Sequence, residues 1–369
     1  MRIHLIDVQN QLADLREDMR RAIDQVLEDG QFILGPNVRA LEEEMASLCG
    51  AAEAVGVANG TDALVLLLRS LGVGPGDEVI TAPYTFYATA EAISAVGATP
   101  VFADIDPASM NIDPRRIEEK ISKRTKAVMP VHLFGQPAEM DEVLAAASRH
   151  GLPVIEDACQ AVGGSYRGKP VGSLAAGAAF SFFPTKNLSC LGDGGMVSTN
   201  DPELAERVRL LRFHGSRDKV EYFEVGYNSR LDEVQAAVLR AKLPRLKGWT
   251  ERRREIALGY GRLLEGLVEL PRELPERTHV YHLYVIRSPE RERIRQALLE
   301  REIGASVYYG TPLHLQPVYR SLGYEKGDLP EAERAAREGL AIPMHPYLRD
   351  SEIEEVCSVI SGALAKQPA

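Results

Sequence analysis

Cysteine is scarce in this chain and shows no paired pattern. The 369 residues include four, Cys49, Cys159, Cys190 and Cys357, with no CxxC pair among them. That spacing supports neither a zinc site nor a disulfide framework, and it suits a reducing compartment. Histidine is equally poor in groups that would hold a metal. The one close pair, His279 and His282, lies in His279-Val280-Tyr281-His282-Leu283-Tyr284-Val285, which alternates like a half-buried strand. Residues three apart on a strand face opposite sides, so no metal is expected. Apolar runs fall short of the ~18 residues that a spanning helix needs. The start, Met1-Arg2-Ile3-His4-Leu5-Ile6-Asp7, lacks a signal-peptide apolar core. The expectation is therefore a cytoplasmic protein with no membrane partner. An excess of basic residues is also missing: 43 Lys and Arg against 53 Asp and Glu leave a net charge of −10. That balance argues against nucleic-acid or anionic-membrane binding. A phosphorylated small substrate stays open, because one pocket can be basic on an acidic protein.

What remains reads as an ordinary globular enzyme, 45% hydrophobic and 26% charged. The chain is too long for one ordinary core, so a large domain plus a smaller one is expected. A helix is expected around Leu12 to Leu27, a break at Gly30–Pro36 and a second helix ending at Gly50. From about residue 52, short β-rich runs (54–58, 78–82, 100–103, 127–132, 153–156, 178–182 and 195–198) alternate with helical stretches at 61–71, 87–96, 138–150 and 202–213. That alternation predicts an α/β fold, a mostly parallel sheet flanked by helices. After Arg230 the pattern changes. Helices from Leu231 and over Leu246–Leu267 precede strands at 280–286 and 305–309 and helices at 290–302 and 351–365. The division expected is a large domain over 1–247, N-terminal segment included, and a small α+β domain over 248–369.

Lys186, in Phe180-Ser181-Phe182-Phe183-Pro184-Thr185-Lys186-Asn187, follows Asp157, in Val154-Ile155-Glu156-Asp157-Ala158-Cys159-Gln160, by 29 residues. An acid ending one apolar strand and a lysine after a second meet the needs of a pyridoxal phosphate site. The amine holds the aldehyde as a Schiff base, and the carboxylate keeps the ring nitrogen protonated. Gln160 is placed to reach the ring hydroxyl and Ser181 the phosphate. Upstream, Val57-Ala58-Asn59-Gly60-Thr61-Asp62 stops a strand at a glycine and opens a helix, which is an anion-site geometry. An ordinary helix capped by Thr61 or Asp62 is the competing reading. Phe86, after the strand at 78–82, offers a flat face for a heterocycle, though a packed core aromatic is the commoner explanation. Gly163-Gly164-Ser165-Tyr166-Arg167-Gly168-Lys169-Pro170 has triphosphate-loop spacing, but Pro170 stands where a hydroxyl should hold magnesium.

Taken in order, Gly60-Thr61-Asp62-Ala63, Thr85-Phe86, Glu156-Asp157-Ala158, Ser181–Asn187 and Gly226-Tyr227-Asn228-Ser229-Arg230 resemble the DegT/DnrJ/StrS family. So do Thr311–Gln316 and Leu340–Met344, and the likeness runs from Phe32 to about Pro346. This is a family of pyridoxal-phosphate nucleotide-sugar aminotransferases of fold type I. The resemblance implies that Lys186 carries the cofactor, Asp157 pairs with its ring nitrogen and Gln160 with its hydroxyl. It implies that Phe86 stacks on the ring and that Gly60, Thr61 and Ser181 hold the phosphate. Asn228 would reach the phosphate from a second subunit of a homodimer. Sugar dehydratases of the family carry histidine at the Lys186 place, so lysine implies transamination, from glutamate to a keto-sugar nucleotide. The segments at 32–36, 85–91 and 192–195 look most like members acting at the sugar 3-position, with a UDP-2-acetamido-3-oxo-glucuronate as first choice. A dTDP-keto-6-deoxyhexose is the alternative, and a cofactor-binding regulator a further one. Asp193 stands where the family usually has Glu. Arg230 is expected to meet a carboxylate, or else to pair with Asp232 or Glu233. Tyr309 and His314 are candidates to line the sugar pocket, against a loop aromatic and a surface histidine. Arg212, His214, Arg217 and Lys219 form a basic loop, either free surface charge or a diphosphate contact.

Overall fold

The computed structural model describes residues 2–365. Where one N-terminal helix was expected, two form: α1 (Val8–Asp14) and α2 (Arg16–Asp29). Asp7 caps α1 by accepting from the Asn10 N–H at 3.0 Å, and the helices break at Leu15, which is buried. Helix α3 (Pro36–Cys49) follows Gly35, which has no side chain to cap it. Glu233 supplies the cap from far along the chain, its carboxylate accepting from the Asn37 and Val38 amides at 2.9 Å each.

The strands of the first half are β1 (Glu53–Val57), β2 (Glu78–Thr81), β3 (Thr99–Phe102), β4 (Thr125–Met129) and β5 (Ile155–Asp157). After them come β6 (Ser165–Tyr166), β7 (Lys169–Pro170), β8 (Gly177–Ser181) and β9 (Gly195–Thr199). They pair in the orders β3-β2-β4 and β5-β8-β9-β1. Parallel bridges Val128–Val154 and Val131–Asp157 join the two groups into one layer. Only β9 runs against its neighbours, so the sheet is mostly parallel, as the alternating pattern predicts. Alternation along β8 shows why both faces are covered. Ala179 packs into the cluster around Leu64, Leu67 and Val208, whereas Ala178 and Phe180 join the one around Leu41, Met45 and Leu239. Successive strand side chains point to opposite faces, and apolar helices bury each. Helices α4 (Gly60–Ser70), α5 (Ala88–Ala95), α6 (Met140–Ser148), α7 (Pro202–Arg212) and α8 (Glu233–Lys242) supply most of that cover. The Gly163–Pro170 segment is the β6–β7 hairpin, not a triphosphate loop.

Beyond α8 lie α9 (Leu246–Leu264), β10 (Arg277–Thr278), β11 (Tyr284–Arg287), α10 (Arg291–Glu300), α11 (Pro330–Glu338), β12 (Gly339–Ile342) and α12 (Asp350–Ala365). Strand β10 adds to β6, and β11 pairs antiparallel with β12. Helix α11 and strand β12 were not anticipated. The strand expected at 280–286 starts only at Tyr284, and the one at 305–309 shrinks to a single bridge from Ser306 to Ala341. The expected division at 247/248 falls in the first turn of α9. Ile3, from the opposite end of the chain, packs with Tyr260, Ile286, Ile303 and Ile360 in the C-terminal cluster. Among the described residues no helix is long and apolar enough to cross a membrane, and no cluster of ligands suits a metal.

Candidate active site

The carboxyl ends of the strands open on a cavity of about 610 Å³, where an α/β sheet offers its ligand crevice. Gly60, Thr61, Phe86, Asp157, Gln160, Ser181, Lys186 and Tyr309 all line it. Three other candidates do not: Asn228, Arg230 and His314.

Asp157 is the last residue of β5 and is buried. Its backbone is held on both sides, with N–H to the Pro130 carbonyl at 2.9 Å and carbonyl to the His132 N–H at 3.0 Å. Its carboxylate is oriented by two donors, the Thr89 hydroxyl to Oδ2 at 2.8 Å and the Cys159 amide to Oδ1 at 3.2 Å. Lys186 sits in a loop between β8 and β9 that is pinned at its base: the Phe182 N–H meets the Gly194 carbonyl at 2.8 Å, and the Cys190 N–H meets the Phe182 carbonyl at 2.7 Å. The Asn187 amide ties the loop to the Val280 carbonyl at 2.9 Å. Burial lowers the Lys186 pKa, with Cys159 and Asp157 acting in the opposite sense. Removing an ammonium from water favours its neutral form, and the neutral amine is the form that accepts a proton.

At the other end of the pocket, α4 starts at Gly60. The cap is Asn59, not Thr61 or Asp62; its side chain accepts from the Asp62 N–H at 2.8 Å. The Gly60 and Thr61 amides fall in the first turn, where a helix has no internal partners for its N–H groups. Approach there is tight: a Cβ on Gly60 would lie 2.7 Å from the Ser181 Cβ and 3.0 Å from the Cys159 sulfur. A Cβ on Gly195 would come within 2.3 Å of the Asn59 backbone, so glycine at the start of β9 lets that turn seat.

Phe86 presents a 58% exposed ring to the cavity. Gln160 follows β5 in a turn rather than a helix. Its side-chain oxygen accepts from the Phe134 amide at 2.8 Å, and its amide donates to the Tyr309 hydroxyl at 3.2 Å. Burial pushes the Tyr309 phenol up to about 12. The site thus combines a buried oriented carboxylate, an amine of lowered pKa, an exposed flat ring and a glycine-walled helix start. This set fits pyridoxal phosphate, with the carboxylate for its ring nitrogen and the helix start for its phosphate.

The remaining candidates lie elsewhere. Asn228 is exposed and bridges to Phe213, in a stretch where Val220, Tyr222, Phe223 and Val225 are also exposed. The Arg230 guanidinium lies 6.0 Å from the Phe213 ring centre. The ion pair expected with Asp232 or Glu233 does not form, because Glu233 is buried and committed to capping α3. His314 is buried rather than on the surface, with Nε2 3.3 Å from Glu333. The basic loop is also corrected: Arg212 is buried and pairs with Glu42 at 2.6 Å, Arg217 pairs with Glu206 at 3.1 Å, and Lys219 lies over Phe213.

Among the lining residues that escaped the sequence reading are Thr89 and His282. Thr89 belongs to the segment with Phe86, one helical turn on, and that spacing was the available signal. His282 was dismissed as a strand residue, yet it is buried in the pocket wall, its pKa driven well below the ordinary value by burial, then by Lys186 and Arg253.

The model of the DegT/DnrJ/EryC1/StrS aminotransferase family matches residues 13–361. A pleiotropic regulatory protein of Geobacillus stearothermophilus is 50% identical over 365 residues, covering 98% of each chain. The dTDP-3-amino-3,4,6-trideoxy-alpha-D-glucose transaminase of Streptomyces venezuelae is 44% identical, covering 97% of this chain and 95% of its own. The UDP-2-acetamido-2-deoxy-3-oxo-D-glucuronate aminotransferase of Pseudomonas aeruginosa is 42% identical over 98% of this chain and 100% of its own. Among solved structures, DesV of S. venezuelae superposes with a TM-score of 0.97 at 43% identity, covering 99% of both chains. With an amine, a carboxylate and a glycine-walled helix start on one cavity, this chain belongs to the DegT/DnrJ/EryC1/StrS family of pyridoxal-phosphate-dependent sugar aminotransferases.

Proposed function

We propose that the protein moves the amino group of glutamate to the 3-keto carbon of a nucleotide-linked hexose. The observation that carries this reading is that Lys186 and Asp157 open on one cavity of about 610 Å³, large enough for a cofactor and part of a sugar. Pyridoxal phosphate supplies an electron sink for the carbon that loses its proton. The protein supplies the rest. With the cofactor bound, Lys186 would take that proton as a base and give it back as an acid. Asp157, held by Thr89 and Cys159, keeps the ring nitrogen protonated; Gln160 bonds the ring hydroxyl, and Phe86 covers the ring face. Gly60, Thr61 and Ser181 bind the phosphate, and Tyr309 faces the sugar.

Support for the 3-position comes from the two sugar transaminases above, one named for a 3-amino sugar and the other for a 3-oxo sugar. The glucuronate reading leans on Arg230, which lies against Phe213 and outside the pocket lining of its own chain. A panel of 3-keto nucleotide sugars incubated with glutamate, half uronates and half 6-deoxyhexoses, reads the choice by product mass. Amination only at another ring position sinks the proposal.

The active unit we propose is a homodimer in which Asn228 of each subunit reaches the other's phosphate. The exposed apolar run from Val220 to Val225 beside it supports this reading, since such patches mark contact surfaces. Mixed Lys186→Ala and Asn228→Ala protomers should regain activity, because each hybrid then has one site free of both defects. Hybrids proven by mass spectrometry yet wholly inactive would refute the shared site. The printed name of the Geobacillus relative favours a second reading, a regulator using the same pocket. Glutamate added to cofactor-loaded protein separates the two: an enzyme releases 2-oxoglutarate and loses its cofactor absorbance, and a sensor does neither.

A further inference from the structure

Two buried threonines, Thr85 and Thr89, flank Phe86 along the chain. Thr85 stands in the turn after β2, and Thr89 in the first turn of α5. Three contacts of 2.8 Å run through them: the Phe86 amide to Thr85 Oγ1, Thr85 Oγ1 to Thr89 Oγ1, and Thr89 Oγ1 to Asp157 Oδ2. The other donor on this carboxylate, the Cys159 amide, lies on Oδ1 at 3.2 Å. Oδ2 therefore depends on Thr89.

The charge at the far end sets the direction of every link. A carboxylate that faces a protonated ring is ionised and can only accept, so the single hydroxyl proton of Thr89 goes to Asp157. Thr89 then has only lone pairs for Thr85, and the single Thr85 proton goes to Thr89. Thr85 in turn offers its lone pairs to the Phe86 amide. A threonine in a helix commonly bonds a carbonyl three or four residues back instead. The Phe86 carbonyl is there to compete, but it lies 3.3 Å from each hydroxyl. The shorter links win, because an ionised acceptor makes bonds roughly twice as strong as a neutral one and polarises the chain of donors behind it.

We propose that Thr85 and Thr89 form a one-directional hydroxyl relay that positions the Asp157 carboxylate for the ring nitrogen of the cofactor. Both are positioning residues, which act through Asp157. The relay starts at the backbone of Phe86, so one chain of four residues holds the group at the ring edge and the group over the ring face. Without the Thr85 hydroxyl, Thr89 is free to turn toward the Phe86 carbonyl, and Oδ2 loses its donor for part of the time. The inference rests on the cofactor pose proposed above, and its test separates the two.

Calorimetry on cofactor-free full-length protein measures the affinity for pyridoxamine phosphate, which makes no covalent bond with Lys186. The same measurement is made with its 1-deaza analogue, in which carbon replaces the ring nitrogen. The ratio of the two dissociation constants reads the bond from Asp157 to the ring nitrogen, independently of turnover. Wild type should bind the nitrogen compound roughly 10- to 100-fold tighter, the size of a hydrogen bond to a charged group. Thr89→Val keeps the shape without the hydroxyl and should cut that preference about fivefold. Thr85→Val, one link further away, should cut it about threefold, and Thr85→Ser should restore it. If Thr85→Val does not fold, Thr85→Ala is measured in its place with the same expectation. A threonine needed only for packing would weaken both compounds alike and leave the ratio unchanged. Equal affinities in wild type would remove the cofactor pose, and the relay with it. A wild-type preference that the Thr85 variant leaves intact, or that Thr85→Ser does not restore, overturns the relay and leaves the pose standing.

Discussion

On the sheet side of the pocket, both carboxylate oxygens of Asp157 have donors, and the Lys186 loop is tied at its base and through the Asn187 Nδ2, although the Asn187 Oδ1 has no partner. On the facing side His282 lines the pocket with its Nδ1 unpartnered, and behind it, outside the pocket lining, Arg253 Nε has no partner and the His345 ring makes no hydrogen bond of normal geometry. A fully bonded group is held in one place, which is what pairing a carboxylate with a ring nitrogen demands. A buried group short of bonds keeps capacity for a small mobile molecule. One side of the site is thus built to orient, and the other to accommodate.

The sharpest way to break this contrast is at its most rigid point. Lys186→Ala should abolish borohydride trapping of the cofactor and reduce transamination below detection, since proton transfer alone is worth about 10²- to 10⁴-fold. Finding the reduced cofactor on a different lysine would remove Lys186 from the scheme. Asp157→Asn nearly preserves shape but removes the charge, so cofactor should still bind while the glutamate half-reaction slows by about 10²- to 10³-fold. An unchanged single-turnover rate would mean that Asp157 is not the ring partner. A third test leaves the pocket for a buried pair that is fully bonded. Glu42→Gln strands the buried Arg212 charge and should cost about 3–5 kcal/mol in urea denaturation; a loss below about 1 kcal/mol would show the pair to be solvated.

Two buried histidines predict acid sensitivity. His279 and His345 are held down to about 3 and 4 by burial, so both are neutral in the folded protein near neutral pH. The unfolded chain protonates them near the ordinary value of about 6.5. Between these limits the unfolded state binds more protons, so stability is full above about 6.5 and is lost as pH falls toward 4. The slope is up to about 1.4 kcal/mol per pH unit for each histidine. His345→Asn should remove one histidine's share of that slope, read from urea midpoints at stepped pH; an identical slope would show that His345 is already charged in the fold. The smallest effect is expected at Arg217, whose pair with Glu206 is exposed on both sides. Arg217→Ala should change stability by no more than about 0.5 kcal/mol. A large rise in substrate KM instead would restore the diphosphate contact.

Local pattern carried much of this structure. The alternation of short apolar runs and helices was enough for the α/β sheet, because a strand buried on both faces must be apolar throughout and its crossover must be helical. Asp157, Lys186, Gly60 and Ser181 stood out for a related reason: each ends or follows a strand, and strand ends in such sheets converge on one crevice. Other features had no local signal. Glu233 caps a helix that begins about 200 residues earlier, Arg212 leaves an apparent basic loop to pair with Glu42, and His314 turns inward to Glu333. Each depends on what the tertiary fold brings alongside, which spacing along the chain does not encode. The surroundings of the Lys186 loop made by Ile6, Arg253, His282 and His345 are the clearest case. Their members come from four separated segments, and only the tertiary fold brings them alongside the lysine segment.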